Sequence, residues 1–248
     1  MIYATGDTHG NFKRFDPEYF PEQKGMSRED YLIITGDFGG VWCGDAREEA
    51  KLDELDARSF TTLFVDGNHE NFAFLDQYPV EEWHGGKIHR VRPNILHLMR
   101  GQVFELEGYT FFTMGGAASH DISDGILDPE ASDFREKYDF LRRIGGMFRI
   151  KGYSWWPEEL PSDEEYATAR AALERVNWQV DYVIAHCAPS SVVDIIGEGK
   201  FGHDKLTDFF EEVSQRLKLH YWLFGHYHAN QNIGEKYVLL WDQIVQVI

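Results

Sequence analysis

Five times along this chain, a short run of β-branched and aromatic residues gives way within a few positions to a small motif carrying a carboxylate, an amide or an imidazole. The runs are Ile2-Tyr3-Ala4-Thr5, Tyr31-Leu32-Ile33-Ile34, Leu63-Phe64-Val65, Tyr182-Val183-Ile184 and Tyr221-Trp222-Leu223-Phe224. They lead into Gly6-Asp7-Thr8-His9-Gly10, Gly36-Asp37-Phe38-Gly39-Gly40, Gly67-Asn68-His69-Glu70, Ala185-His186-Cys187-Ala188-Pro189 and Gly225-His226-Tyr227-His228. Such runs read as buried strands. Each polar group therefore falls at the C-terminal end of a strand, where open α/β sheets gather their sites. The pattern predicts one convergent cluster of Asp7, His9, Asp37, Asn68, His186, His226 and His228. Imidazole, carboxylate and amide donors without thiolate suit two borderline divalent ions, manganese foremost, with iron, zinc or nickel as alternatives. Calcium would want mostly oxygen, and structural zinc usually takes sulfur.

The order and spacing of the motifs, from Asp7 to His228, resemble the calcineurin-like metallophosphoesterase superfamily. The resemblance implies an α/β fold, a four-layer α/β/β/α sandwich of two mixed sheets flanked by helices. It also implies hydrolysis of phosphate mono- or diesters by a hydroxide shared between two ions. Carried onto matching positions, Asp7, His9 and His228 would hold one ion, Asn68, His186 and His226 the other, and Asp37 would bridge them. His69 would act from outside the ligand set as the acid that protonates the leaving alcohol. The expected substrate is a small phosphorylated metabolite or nucleotide.

Two departures narrow the resemblance. Many superfamily members carry a second Asp three positions after the bridging one, orienting the catalytic histidine; here that position is Gly40. Asp45, Asp66, Asp121 or a backbone carbonyl could substitute. The serine/threonine protein phosphatases also place arginines where this chain has Val41 and Asp66, and neither can imitate a guanidinium fork on phosphate. A protein phosphatase and a diadenosine-polyphosphate hydrolase remain alternatives, and a non-catalytic scaffold is disfavoured because every ligand type is present.

With 248 residues and no Pro/Ser-rich linker or repeat, one domain spanning 1–248 is expected. The net charge of −18 argues against a nucleic-acid interface. No apolar run reaches the roughly 18 residues of a membrane helix. The first strand leaves no room for a leader, and Cys43 and Cys187 read as free thiols, so a cytoplasmic enzyme is expected.

Helices are expected over Asp45 to Ser59, behind the capping box of Ser162 to Glu165, and behind Asp204. Closely spaced strands between Arg92 and Gly116, with turns at Arg100-Gly101 and Glu107-Gly108, predict hairpins, as does the stretch from Ile233 to Val245. The irregular segment 117–161 reads as a lid or specificity element without metal ligands, in which Trp155 and Trp156 could stack on a planar leaving group or anchor the loop. Two basic stretches, Lys87 to Arg100 and Arg135 to Lys151, could each wall an anionic site or simply face solvent. Among the remaining histidines (His84, His89, His97, His120, His203 and His220), His120 is singled out.

Overall fold

The computed structural model describes residues 1–248. Two large mixed sheets lie face to face with helices outside each. The first has seven strands in the spatial order Ile244–Gln246, Ile2–Thr5, Tyr31–Ile34, Thr61–Phe64, Ile95–Leu98, Gly86–Arg92 and Val80–Trp83. The second has six, in the order Gln231–Ile233, Tyr237–Leu239, Tyr221–Phe224, Tyr182–Ala185, Tyr109–Met114 and Gln102–Leu106.

Side-chain alternation along the strands builds three apolar layers. Ile2, Ile33, Leu63 and Leu96 of the first sheet meet Phe104, Phe111, Ile184 and Leu223 of the second in the inter-sheet core. The opposite faces carry Tyr3, Leu32, Ile34 and Phe64, packed under Leu52 and Leu55 of the helix Ala46–Asp56. Val183, Ala185, Trp222 and Phe224 are covered by the helices Asp163–Arg175, Ser190–Gly197 and Lys205–Arg216. Burial on both faces explains why the strands read as unbroken apolar runs. No helix is long and apolar enough to cross a membrane.

The helices start where their capping residues stand. Asp45 accepts from the N–H groups of Arg47 and Glu48, Ser162 and Glu165 form a reciprocal box, and Asp204 caps Lys205–Arg216. The helix after Asp45 buries Leu52 and Leu55.

The turn expected at Arg100-Gly101 is not a hairpin. Ile95–Leu98 and Gln102–Leu106 belong to different sheets, so residues 99–101 carry the chain across the sandwich. The physical reason lies in Arg100, whose guanidinium is buried against the Asp66 carboxylate at 2.5 and 2.8 Å and thereby ties the crossover to the first sheet. Likewise Gln231–Ile233 and Tyr237–Leu239 form the expected hairpin, but Ile244–Gln246 leaves it to pair antiparallel with Ile2–Thr5. Gln102–Leu106 and Tyr109–Met114 pair as expected about Glu107-Gly108.

Candidate metal centre

The strands Ile2–Thr5, Tyr31–Ile34 and Thr61–Phe64 are mutually parallel, as are Tyr182–Ala185 and Tyr221–Phe224. Their C-terminal ends bring all seven predicted ligands to one edge of the sandwich. Asp7, His9 and His228 form one group with ligand atoms facing each other, and Asp7, Asp37 and His186 form a second. His228 Nε2 is 3.1 Å from Asp7 Oδ2, and His9 Nε2 lies 3.2 Å from His228 Nε2. Asp37 stands between the groups, with Oδ2 3.8 Å from His9 Nε2 and Oδ1 3.4 Å from His186 Nε2. Asn68 Oδ1 is 3.3 Å from His186 Nε2, and the His226 ring packs edge-on to that of His186 at 5.0 Å.

The loops hold these groups in backbone conformations that side-chain-bearing residues rarely adopt. His9, Asp37, His226 and His228 all have positive φ, at 47°, 49°, 73° and 47°. Strain concentrated at polar loop residues is a mark of a functional site. Two glycines of the motifs are required by close approach: a Cβ on Gly67 would lie 2.0 Å from Asp37 Oδ1, and one on Gly225 would lie 2.2 Å from Asp7 Oδ1.

Hydrogen bonds settle which atoms remain for a ligand. His186 Nδ1–H donates to the Thr35 carbonyl at 2.8 Å, which turns Nε2 toward Asp37. Asn68 Nδ2 donates to Ser119 Oγ at 3.2 Å, and Ser119 Oγ donates to Glu159 Oε2 at 2.6 Å, so Asn68 turns its oxygen inward. Asp7 Oδ1 accepts from the His226 N–H at 3.1 Å, whereas Asp7 Oδ2 is buried with no hydrogen-bond donor. A buried carboxylate oxygen without a donor, faced by imidazole nitrogens, is a cation cradle, since leaving it unpaired in the interior is costly. The donor set therefore fits divalent transition ions.

The electrostatics of the bare cluster agree. Burial opposes the charged form of Asp37, but His186, with help from His69 and His9, holds its carboxyl well below the ordinary range. Burial also opposes charge on His186, yet Asp37 and Asp7 outweigh it and push the imidazole up to about 10. A proton on His186 thus occupies the place a cation would take.

Several residues that the motifs did not assign hold the site. Buried Glu70 accepts from the N–H groups of Phe38 and Gly39 at 2.7 and 3.3 Å, clasping the loop that carries Asp37; burial and then Asp37 raise its pKa. Arg14 donates to the Asp7 carbonyl at 2.8 Å. His120, singled out in the sequence, sits with Nε2 2.5 Å from His226 Nε2.

The segment 117–161 does more than flank the centre, because Ser119 touches Asn68, Glu159 holds Ser119, and His120 touches His226. It also supplies Arg149, whose Nη2 donates to His69 Nε2 at 3.1 Å, while Nε and Nη2 donate to Asp121 at 2.8 and 2.5 Å. Of the candidates to substitute for the missing Asp at position 40, Asp121 acts on His69 through Arg149. Asp66 is committed to Arg100 and His97, and Asp45 caps a helix. The His69 N–H donates to Asp37 Oδ1 at 2.8 Å. Because arginine only donates, His69 Nε2 carries no proton in this state, and burial lowers the affinity of His69 for a second one.

Other open alternatives are decided. Trp156 is buried edge-on to Trp42 at 5.3 Å, so it anchors the loop and presents no face to a planar ligand. The first basic stretch builds no wall: Arg90 pairs with Glu81, Arg92 with Glu49 and Asp53, and Arg100 with Asp66. In the second stretch Arg135, Arg142 and Arg143 face solvent.

A comparison with curated proteins finds no match. A model of the calcineurin-like phosphoesterase family matches residues 1–230. With that match spanning every motif described above, the chain belongs to the calcineurin-like phosphoesterase family.

Proposed function

We propose that this metal-dependent phosphoesterase uses a binuclear centre, with Asp7, His9 and His228 around one ion, Asn68, His186 and His226 around the other, and Asp37 shared. Membership in the family makes the chain a hydrolase of phosphoester bonds. The observation that carries the binuclear reading is Asp37, with one carboxylate oxygen toward His9 and the other toward His186. Two bound ions would supply a nucleophilic water at neutral pH and charge to draw a phosphoryl group. The chain's own part is to hold bare donor atoms at fixed positions through Thr35, Ser119 and the His226 N–H. His69, tied to Asp37 through its backbone, is the proposed acid, and must first take a proton on Nε2, now an acceptor from Arg149, to give one to the leaving oxygen. The substrate is a small phosphorylated metabolite or nucleotide, and manganese is the proposed metal. The acidic surface speaks against nucleic acid, and the free thiols of Cys43 and Cys187 support a cytoplasmic setting.

The test is hydrolysis of a panel of phosphomonoesters, phosphodiesters and nucleotides by metal-depleted protein before and after adding Mn2+, with elemental analysis alongside. Close to two ions per chain and Mn2+-dependent turnover are expected. One ion per chain at saturation would refute the binuclear assignment.

A further inference from the structure

We propose that Arg149 is the phosphate-gripping residue of this site and that it selects phosphomonoesters over phosphodiesters. The inference rests on the phosphoesterase reading and extends it to substrate class. Arg149 lies outside the family's motifs, in the small parallel pairing of Arg149–Ile150 with Ile126–Leu127. Asp121 holds the guanidinium by two parallel bonds, at 2.8 and 2.5 Å, which fixes the plane of the fork. A third N–H donates to His69 Nε2 at 3.1 Å, which seats the guanidinium against the histidine next to Asn68. The two N–H groups of Nη1 make no bond within the protein, and only 18% of the side chain is exposed. Guanidinium donors left open beside a cation cradle are complementary to an anion with several oxygens.

Two other cations near the cluster are committed elsewhere. Arg14 donates to the Asp7 and Trp241 carbonyls, and Lys51 donates to the Gly10 carbonyl at 2.8 Å. Neither Gly40 nor Val41 can bind an oxyanion through its side chain, so the lid segment supplies the missing positive group. A phosphomonoester carries one more anionic oxygen than a diester, and a diester puts a carbon substituent there instead. The open Nη1 donors reward that extra oxygen and are wasted on an esterified one.

The experiment compares the Mn2+-loaded wild type with Arg149→Met, Arg149→Lys and Asp121→Asn. Inorganic phosphate is titrated by calorimetry, and kcat and KM are measured on nitrophenyl phosphate and bis(nitrophenyl) phosphate, with metal content checked. Arg149→Met should weaken phosphate binding and raise the monoester KM by about 10–100-fold, the range of a lost charged hydrogen bond. Its diester kcat/KM should fall by much less than its monoester kcat/KM, and metal content should not change. Arg149→Lys, which keeps the charge without the fork, should fall between, and Asp121→Asn should resemble it. Should Arg149→Met fail to fold, these two variants decide the matter through the same ratio. Unchanged phosphate affinity, or equal losses on both esters, in an otherwise active enzyme overturns the role of Arg149 alone. A wild type that hydrolyses neither ester with Mn2+ overturns the phosphoesterase reading, and this inference with it.

Discussion

Gly67 shows how little tolerance the centre has. A methyl group there would collide with the Asp37 carboxylate at 2.0 Å. Gly67→Ala should therefore move Asp37 away from both clusters and weaken metal binding by about 10–100-fold, the usual effect of disturbing a ligand's support. Elemental analysis after dialysis, with circular dichroism to verify folding, is the measurement. The convergence of the seven motif residues was legible from sequence because strand runs and motifs coincide. Their supports were not. Ser119, Glu159 and Arg149 act by hydrogen bonds across 51, 40 and 80 residues of chain, and no local pattern encodes such pairings. His120 could be noticed only as a histidine in an irregular loop.

At the scale of elements, capped helices and apolar strands were readable from composition and periodicity. The partner sheet of each strand was not. A three-residue connection looks the same whether it reverses within a sheet or steps across the sandwich, and the difference rests on the buried Arg100–Asp66 pair. Arg100→Met would leave Asp66 charged and unpaired in the core, and chemical denaturation should show a loss of about 3–5 kcal/mol. The same region carries a pH response. Asp66 accepts from His97 Nε2–H at 3.1 Å, so His97 Nδ1 is bare and accepts from His89 Nδ1–H at 3.1 Å. Burial, then the neighbouring His97, lowers the pKa of His89 to about 4. A depressed folded pKa means the unfolded chain binds the proton first. The stability contributed by neutral His89 is thus fully present above about 6.5 and is lost as pH falls toward about 4. Between pH 7 and pH 5 this amounts to about 1–2 kcal/mol, and the denaturation midpoint of His89→Gln should fall less over that interval than that of the wild type.

Across the whole molecule, the two sheets and their helices form a frame whose one edge is occupied by charged and polar loops. Binding ions only in the folded state stabilises it by linkage, about 2.7 kcal/mol per site at a metal concentration 100 times Kd. Thermal unfolding should therefore shift upward with Mn2+ in the wild type. In Asp37→Asn, which removes the shared charge, most of that shift should vanish. An equal shift in both proteins would show that the ions bind somewhere else.

The contact between His9 and His228 joins positions 219 residues apart in the chain. Loop closure over such a distance comes late in folding, because the entropy of the intervening chain must be overcome before the contact returns anything. A nascent chain that has emerged only as far as Phe224 contains Asp7, His9, Asp37, Asn68 and His186 but neither of the last two histidines. It has no complete cradle to offer. The proposed cradle is therefore completed only by the last of the five motifs.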